Sequence, residues 1–508
     1  MRNWPLSLIY RAFIATFLVV SMGAADAQTA GAARLPTLGD GGELSANAER
    51  RLGDGIAREL YRDPDYIDDP QLVEYVGAIW QALLAAARTR GEISPELDER
   101  FAFDLFLGRD RTVNAFALPG GYMGVNLGLV GVVATPEELA SVLAHELSHI
   151  SQRHIARLIG SQERSAPLMI GALVLGILAA SKNPQAAQAL AIGGQALVVQ
   201  NQLNFSRDME READRVGFGL MAPAGFAPQG FVGMFEKLQQ ANRINDNGSW
   251  PYLRSHPLTT QRVADMQSRL PTGGAAPPAP TLEHGMLAAR ARVLSNPGVD
   301  VLRQWQAEPQ GVGFSALPPA RQAAVLYAAV LAASQLREAA AARVLLPRLQ
   351  QAVQGDALAV RQVGLLAAEV ELAAGDAARA LALVPAGPGR PELLLRAQAL
   401  LRSPAPAQAA PDMAGKLQTW VALHPRDAGA WQLLASVWQA QGQVLRAVRA
   451  EAEAHAARYD YAAAVDRLRA GQDLARQSRT AADHVEASII DTRLRAVESL
   501  LREQTAER

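Results

Sequence analysis

The chain of 508 residues contains no cysteine. That absence excludes disulfides, thiolate-bound zinc, a cysteine nucleophile and the acylated N-terminal cysteine that anchors a bacterial lipoprotein. Net charge is nearly absent as well: 49 Lys and Arg stand against 50 Asp and Glu, a formal −1. A general nucleic-acid binder needs a basic surface, so that class is excluded. Hydrophobic residues make up 49% and charged ones 19%, an ordinary globular balance that excludes a largely disordered chain. Any metal must then be held by histidine and carboxylate. Histidine is scarce too, and three of the eight lie between positions 145 and 154.

A long apolar run is also missing near the N-terminus. Arg2 and Arg11 accompany an uncharged stretch from Ala12 to Ala24, short of the roughly 20 residues that a span needs. Ala25-Asp26-Ala27 places small residues at the two positions that a signal peptidase inspects. We therefore expect residues 1–27 to be a signal peptide cleaved after Ala27, and the exported chain to be periplasmic. An uncleaved membrane anchor is the alternative.

At about 150 residues per domain, the length predicts two to four domains, and composition reduces this to two. After a short N-terminal linker (28–44), residues 45–272 mix helical and strand patterns. Phe101, Phe103, Leu105 and Leu107 alternate as on a strand. Val113 to Leu118 and Tyr122 to Val125 flank Pro119-Gly120-Gly121, which predicts a hairpin. Residues 273–282 are rich in Pro, Gly and Ala and read as a linker. From 283 to 508 the composition turns to Ala, Leu, Arg and Gln, an all-α half. Trp431, Leu434, Ala435, Trp438, Gly442 and Ala447 have tetratricopeptide-like spacing, and Gly375 to Ala380 repeats part of it. An Ala-rich bundle without true repeats is the alternative.

Residues 145–149 read His-Glu-Leu-Ser-His. Thr135, Pro136 and Glu138 form a helix start with a capping box, and Leu139, Val142, Leu143 and Ile150 give it an apolar stripe. His145 and His149 are then i and i+4 on one face, where two imidazoles can bind one zinc ion with Glu146 as general base. A metzincin would follow with a glycine and a third histidine, but those positions hold Gln152 and Ile155. His154 is one residue out of phase and reads as a solvated or hydrogen-bonded helix residue. The alternative third ligand is a carboxylate on a second helix. Glu210 and Asp214 share a face there, so Glu210 can ligate the metal while Asp214 fixes the tautomer of a ligand histidine. Glu212 points elsewhere as a surface charge. His256, followed by Pro257 and Arg262, is too isolated to assign by spacing.

Taken together, Asn114-Ala-Phe-Ala117, Pro119-Gly-Gly121, Glu138-Leu-Ala140, His145-Glu-Leu-Ser-His149, Glu210-Arg-Glu-Ala-Asp214 and His256-Pro257 with Arg262 resemble the zinc metallopeptidases related to HtpX and the type 1 CAAX prenyl protease. The resemblance covers roughly residues 45–270. It implies an α+β zincin-like metallopeptidase domain followed by an all-α tetratricopeptide-like repeat domain. It further implies one Zn2+ per chain held by His145, His149 and Glu210, with Glu146 catalytic. His256 and Arg262 would lie near the zinc, capping its open position or holding an oxyanion. Asn114, Ala115 and Phe116 would form the edge strand that pairs with an extended substrate.

The signal peptide and helical repeats place the resemblance in the periplasmic branch concerned with outer-membrane β-barrel proteins. The partners implied are extended or misfolded protein substrates and, through the repeats, the outer-membrane β-barrel assembly machinery. A chaperone or assembly scaffold with minor or latent protease activity is the alternative function. The uncharged run from Ala166 to Ala180 is too short for a comfortable span. It reads as a helix of a membrane-facing hairpin with peripheral membrane contact, or equally as a buried core helix.

Overall fold

The computed structural model of the chain describes residues 44–160, 206–243, 249–270, 278–295, 297–404, 406–477 and 481–506. The expected signal peptide, the run 166–180 and part of the 273–282 linker lie outside the described residues. A small mixed sheet organises the first half. Strands β1 (Asp104–Gly108), β2 (Ala115–Leu118) and β3 (Tyr122–Asn126) lie in the order β1-β3-β2, with β1 parallel and β2 antiparallel to β3. The β2–β3 hairpin turns through Pro119–Gly121, where Gly120 and Gly121 take φ of 73° and 87°, a left-handed conformation that favours glycine.

The strand alternation expected from Phe101 begins late. Phe103 has a φ of 45°, so the chain bends there and β1 starts only at Asp104. Phe101 and Phe103 are still buried, and Trp80 Nε1 donates to the Phe103 carbonyl at 3.0 Å.

Three helices precede the sheet: α1 (Ala46–Arg62), α2 (Pro70–Thr89) and α3 (Pro95–Arg100). Each begins at a side chain that accepts a first-turn N–H, from Ser45, Asp69 and Ser94 in turn. After α4 (Leu127–Val132) comes the central helix α5 (Pro136–Ser151). Thr135 accepts from Glu138 N at 3.3 Å, and Glu138 Oε2 accepts from Ala134 N at 2.6 Å, so the box closes one residue earlier than a standard capping box. Every residue of α5 from Glu138 to Ser151 is buried. The helix is enclosed on all sides, and its serines satisfy themselves on the preceding turn, Ser148 Oγ donating to the Ala144 carbonyl at 2.7 Å.

The helix α5 ends in a turn at Arg153, which has a φ of 52°; α6 (His154–Gly160) follows. Beyond it lie α7 (Arg207–Met221), α8 (Gln229–Arg243), the short α9 (Tyr252–Ser255) and α10 (Thr260–Arg269). Leu72, Val76, Trp80 and Leu83 of α2, Leu139, Leu143 and Leu147 of α5, and Leu220 and Phe231 share one core.

From Leu282 on, the described residues form helices and no strand: α11 (Leu282–Leu294), α12 (Val299–Ala307), α13 (Pro319–Gln335), α14 (Ala339–Ala352), α15 (Ala357–Ala373) and α16 (Ala377–Leu383). Then come α17 (Arg390–Leu401), α18 (Pro406–Leu423), α19 (Ala428–Ala440), α20 (Val444–Ala456), α21 (Tyr461–Gln477) and α22 (Ala481–Ala506). Arginines join these helices to the first half. Arg290 of α11 pairs with Asp69 at 2.6 Å and Glu369 at 2.8 Å, and Arg390 pairs with Asp68 and Asp427. No helix among the described residues is long and apolar enough to cross a membrane.

Candidate metal centre

One turn of α5 separates His145 from His149, so both imidazoles leave the helix toward α7. The two helices approach closely at Gly217 of α7. A Cβ there would lie 3.0 Å from the backbone of Ala144 and His145. Asp214 and Glu210 stand one and two turns before Gly217 on the same face, which brings both carboxylates onto the histidines. His256 enters from the loop after α9, stacked on Tyr252 with ring centroids 4.6 Å apart. One ligand atom from each of His145, His149, Glu210 and His256 falls within 4.8 Å of the others, and all four residues are buried.

The hydrogen bonds orient the set. Nδ1 of His145 lies 3.0 Å from Asp214 Oδ1, and Nδ1 of His149 lies 2.8 Å from His154 Nδ1. With both Nδ1 atoms engaged outward, the two Nε2 atoms face each other at 3.0 Å. His256 Nδ1 is 2.9 Å from Glu210 Oε1 and 3.3 Å from His145 Nε2, while its Nε2 is 3.3 Å from Glu146 Oε1.

This arrangement fits a cation. Two imidazole lone pairs pointed at one spot repel unless a positive centre lies between them. Glu146 Oε1 is buried without a hydrogen-bond partner, a costly state for an oxygen removed from water. Imidazole and carboxylate without thiolate suit a first-row divalent ion.

Electrostatics point the same way. Burial holds His149 well below the usual histidine range, against the pull of Glu210. Burial would raise Glu210, but His256, His149 and His145 outweigh it and hold this carboxyl well below the usual range. Burial would likewise raise Asp214, yet Arg262 and His145 lower it. His256 behaves differently: burial lowers it, but Glu210 and Glu146 together raise it.

One expectation needs correction. Arg262 does not stand as an oxyanion donor, because its guanidinium is committed behind the carboxylates. Nε and Nη2 donate to the two oxygens of Asp214 at 2.6 and 2.8 Å, and Nη1 to the Pro257 carbonyl at 2.9 Å. Nη1 also lies 2.7 Å from Glu210 Oε2. Of the two readings of His154, the hydrogen-bonded one holds: it is fully buried, and Glu212, partly exposed, pairs with it at 3.1 Å and with Arg157 at 2.9 Å.

The residues proposed for substrate pairing lie on or just before β2, the sheet edge nearest α5. Ala115 is buried and Phe116 half-buried, and Asn114 Oδ1 is buried without a hydrogen bond. Sequence reasoning missed Ala117, whose N–H donates to Glu146 Oε2 at 2.9 Å. It also missed Gly217, although its offsets of seven and three from Glu210 and Asp214 are a readable signal.

Residues 81–270 match peptidase family M48. Over 269 residues the chain is 35% identical to the putative beta-barrel assembly-enhancing protease of Vibrio cholerae serotype O1, covering 52% of this chain and 53% of the relative. Over 238 residues it is 35% identical to the beta-barrel assembly-enhancing protease of Escherichia coli strain K12, covering 46% and 47%. Over 200 residues it is 27% identical to the mitochondrial metalloendopeptidase OMA1 of Saccharomyces cerevisiae, covering 38% and 54%. The chain spans about half the length of the curated relatives it matches.

Proposed function

We propose, on the premise that residues 81–270 are a peptidase family M48 domain, that this chain is a zinc-dependent endopeptidase. The observation that carries the reading is the buried convergence of His145, His149, Glu210 and His256 beside Glu146. His145, His149 and Glu210 would hold the metal. Bound zinc supplies Lewis-acid polarisation of a peptide carbonyl and makes a water easier to deprotonate.

The protein residues do the rest. Glu146 takes the proton of the attacking water on Oε1, the oxygen without a hydrogen bond, and returns it to the leaving amine. Ala117 N–H holds the other oxygen. Asp214 accepts the Nδ1–H of His145, which leaves the Nε2 lone pair facing the cluster. Arg262 keeps Asp214 ionised and holds both Asp214 and Glu210 in place. His256 sits between Glu210 and Glu146, close enough to join the ligand set, so it stands over the centre in a resting state and must yield to substrate. An extended chain would add to the outer edge of β2 along Asn114, Ala115 and Phe116.

The wider reading divides the chain into a signal peptide (1–27), an N-terminal linker, a peptidase domain (45–272), a linker (273–282) and a tetratricopeptide-like domain (283–508). The chain is exported to the periplasm, and its helical half recruits stalled outer-membrane β-barrel proteins to the peptidase. The names of the relatives from Vibrio cholerae and Escherichia coli support that substrate class.

The test is metal content and cleavage of an unfolded protein by purified wild type, Glu146→Gln, His145→Ala and His256→Ala chains. Glu146→Gln should keep zinc and lose cleavage. His145→Ala should lose zinc, and His256→Ala should keep it. Cleavage by Glu146→Gln at the wild-type rate would sink the mechanism.

A further inference from the structure

We propose that His154 is a positioning residue for the metal centre: it accepts the Nδ1–H of His149 and is itself oriented by Glu212 at the protein surface. The inference rests on the reading of His149 as a ligand. Had α5 continued, residue 154 would lie about 140° around the helix from His149, at roughly 100° per residue. The left-handed turn at Arg153 prevents that. Arg153 Nε donates to Glu49 at 3.1 Å and Nη2 to the Leu44 carbonyl, which ties the turn to the start of α1. The chain folds back, and the His154 ring meets the His149 ring edge-on with centroids 4.8 Å apart.

The proton assignment follows from the far end of the chain of contacts. Glu212 Oε2 already accepts from Arg157, and an ionised carboxylate can only accept. The contact to His154 Nε2 at 3.1 Å therefore requires an N–H on Nε2. A neutral imidazole carries one N–H, so His154 Nδ1 is an acceptor. The 2.8 Å contact then makes His149 Nδ1 the donor and leaves the His149 Nε2 lone pair aimed at Glu210, 3.4 Å away. His145 is oriented by Asp214 directly; His149 is oriented by Glu212 through a second imidazole. Both routes end on a carboxylate of α7, reached from different faces of that helix.

Zinc affinity of the full-length chain, measured by competition with a chromogenic chelator, tests this without reference to activity. His154→Leu removes the acceptor and should weaken Zn2+ binding by about 10–100-fold. His154→Asn places Oδ1 near the position of Nδ1 and should recover most of that loss. Glu212→Ala, at a partly exposed position, should weaken binding by a smaller factor, and the Co2+ absorption bands should shift in the Leu variant and not in Asn. Wild-type affinity in His154→Leu overturns the proposal, as does an Asn variant no better than Leu, which would assign His154 to packing alone. If His154→Leu fails to fold, Glu212→Ala decides, and unchanged affinity there overturns it. A wild-type chain that binds Zn2+ no better than His145→Ala instead overturns the underlying metal-site reading.

Discussion

The main-chain N–H of Ala117 donates to Oε2 of Glu146 at 2.9 Å, tying the edge strand β2 to helix α5. Pairing with β3 explains why this donor is available. Phe116 faces Gly124 and Ala117 faces Met123, and Asn126 N donates to Asn114 O. With a period of two, Ala117 turns its N–H away from β3.

Proline removes that donor alone, because an outward N–H on an edge strand is where a sheet tolerates proline. Ala117→Pro should therefore leave zinc content unchanged. Loss of a hydrogen bond to a charged group costs about 1.5–3 kcal/mol, so cleavage should fall about 10–100-fold. A steady-state assay beside metal analysis checks both. Unchanged cleavage would mean that Glu146 needs no anchor on the sheet.

A second prediction contrasts two glycines of α7. Replacing a mid-helix glycine by alanine gains about 1 kcal/mol from backbone entropy. At Gly219 the added methyl meets only the Arg90 guanidinium, 3.0 Å away and free to shift, so Gly219→Ala should stabilise. At Gly217 it meets main chain of α5 at 3.0 Å. Overpacking there costs about 1–3 kcal/mol, which offsets or exceeds the gain. Gly217→Ala should unfold at equal or lower denaturant than wild type and bind zinc more weakly, as α7 and its two carboxylates are pushed outward. A stabilised Gly217→Ala with full zinc affinity would show that the helices do not need this close approach.

What could be read in the sequence was local. His145, Glu146 and His149 lie within five residues of a capped helix, and Glu210 and Asp214 lie one turn apart, so helical period alone placed each pair on a face. The hairpin was readable from its Pro-Gly-Gly turn. The rest depends on contacts between distant elements or on single backbone angles. The bend at Phe103 delays the start of β1, and the turn at Arg153 brings His154 onto His149, through one dihedral each. Arg262 carries the same charge whether it faces a substrate or a carboxylate, and only the position of Asp214, 48 residues away, decides. The seam between the halves is equally hidden, since Arg290 and Asp69 are 221 residues apart.

That seam supplies a third prediction. Arg290 is buried and is held by Asp69 and Glu369. Burial opposes its charge, but the two carboxylates raise its proton affinity well above the usual arginine value. Arg290→Met leaves both anions facing a low-dielectric seam, and removing one partner of a buried pair costs about 3–5 kcal/mol. Arg467→Met, at an exposed 3.7 Å pair with Glu451, should change stability by less than about 1 kcal/mol. Urea unfolding of the two variants beside wild type checks the contrast. Equal effects would show that the seam does not depend on buried charge.

The fourth prediction concerns acid. Burial pushes the Asp427 carboxyl up, but Arg390 at 2.7 and 2.8 Å, the Ala430 N–H at 3.0 Å and Trp420 Nε1 at 2.8 Å outweigh it and hold it below the usual aspartate range. A depressed folded-state value means that this stabilisation is complete above the unfolded value of about 3.9 and is lost as pH falls through the folded one. Ala430 and Trp420 donate to different oxygens of Asp427, so Asp427→Asn keeps an acceptor for one of them, turns the other oxygen into an NH2, and loses the charge opposite Arg390. At pH 7 the variant should be less stable than wild type, by about 1–3 kcal/mol for charge-assisted hydrogen bonds. As pH drops below the unfolded value and on through the lower folded one, wild type loses this contribution and the two unfolding curves should converge. A gap at pH 3 as wide as at pH 7 would mean that Asp427 acts through its shape and not its charge.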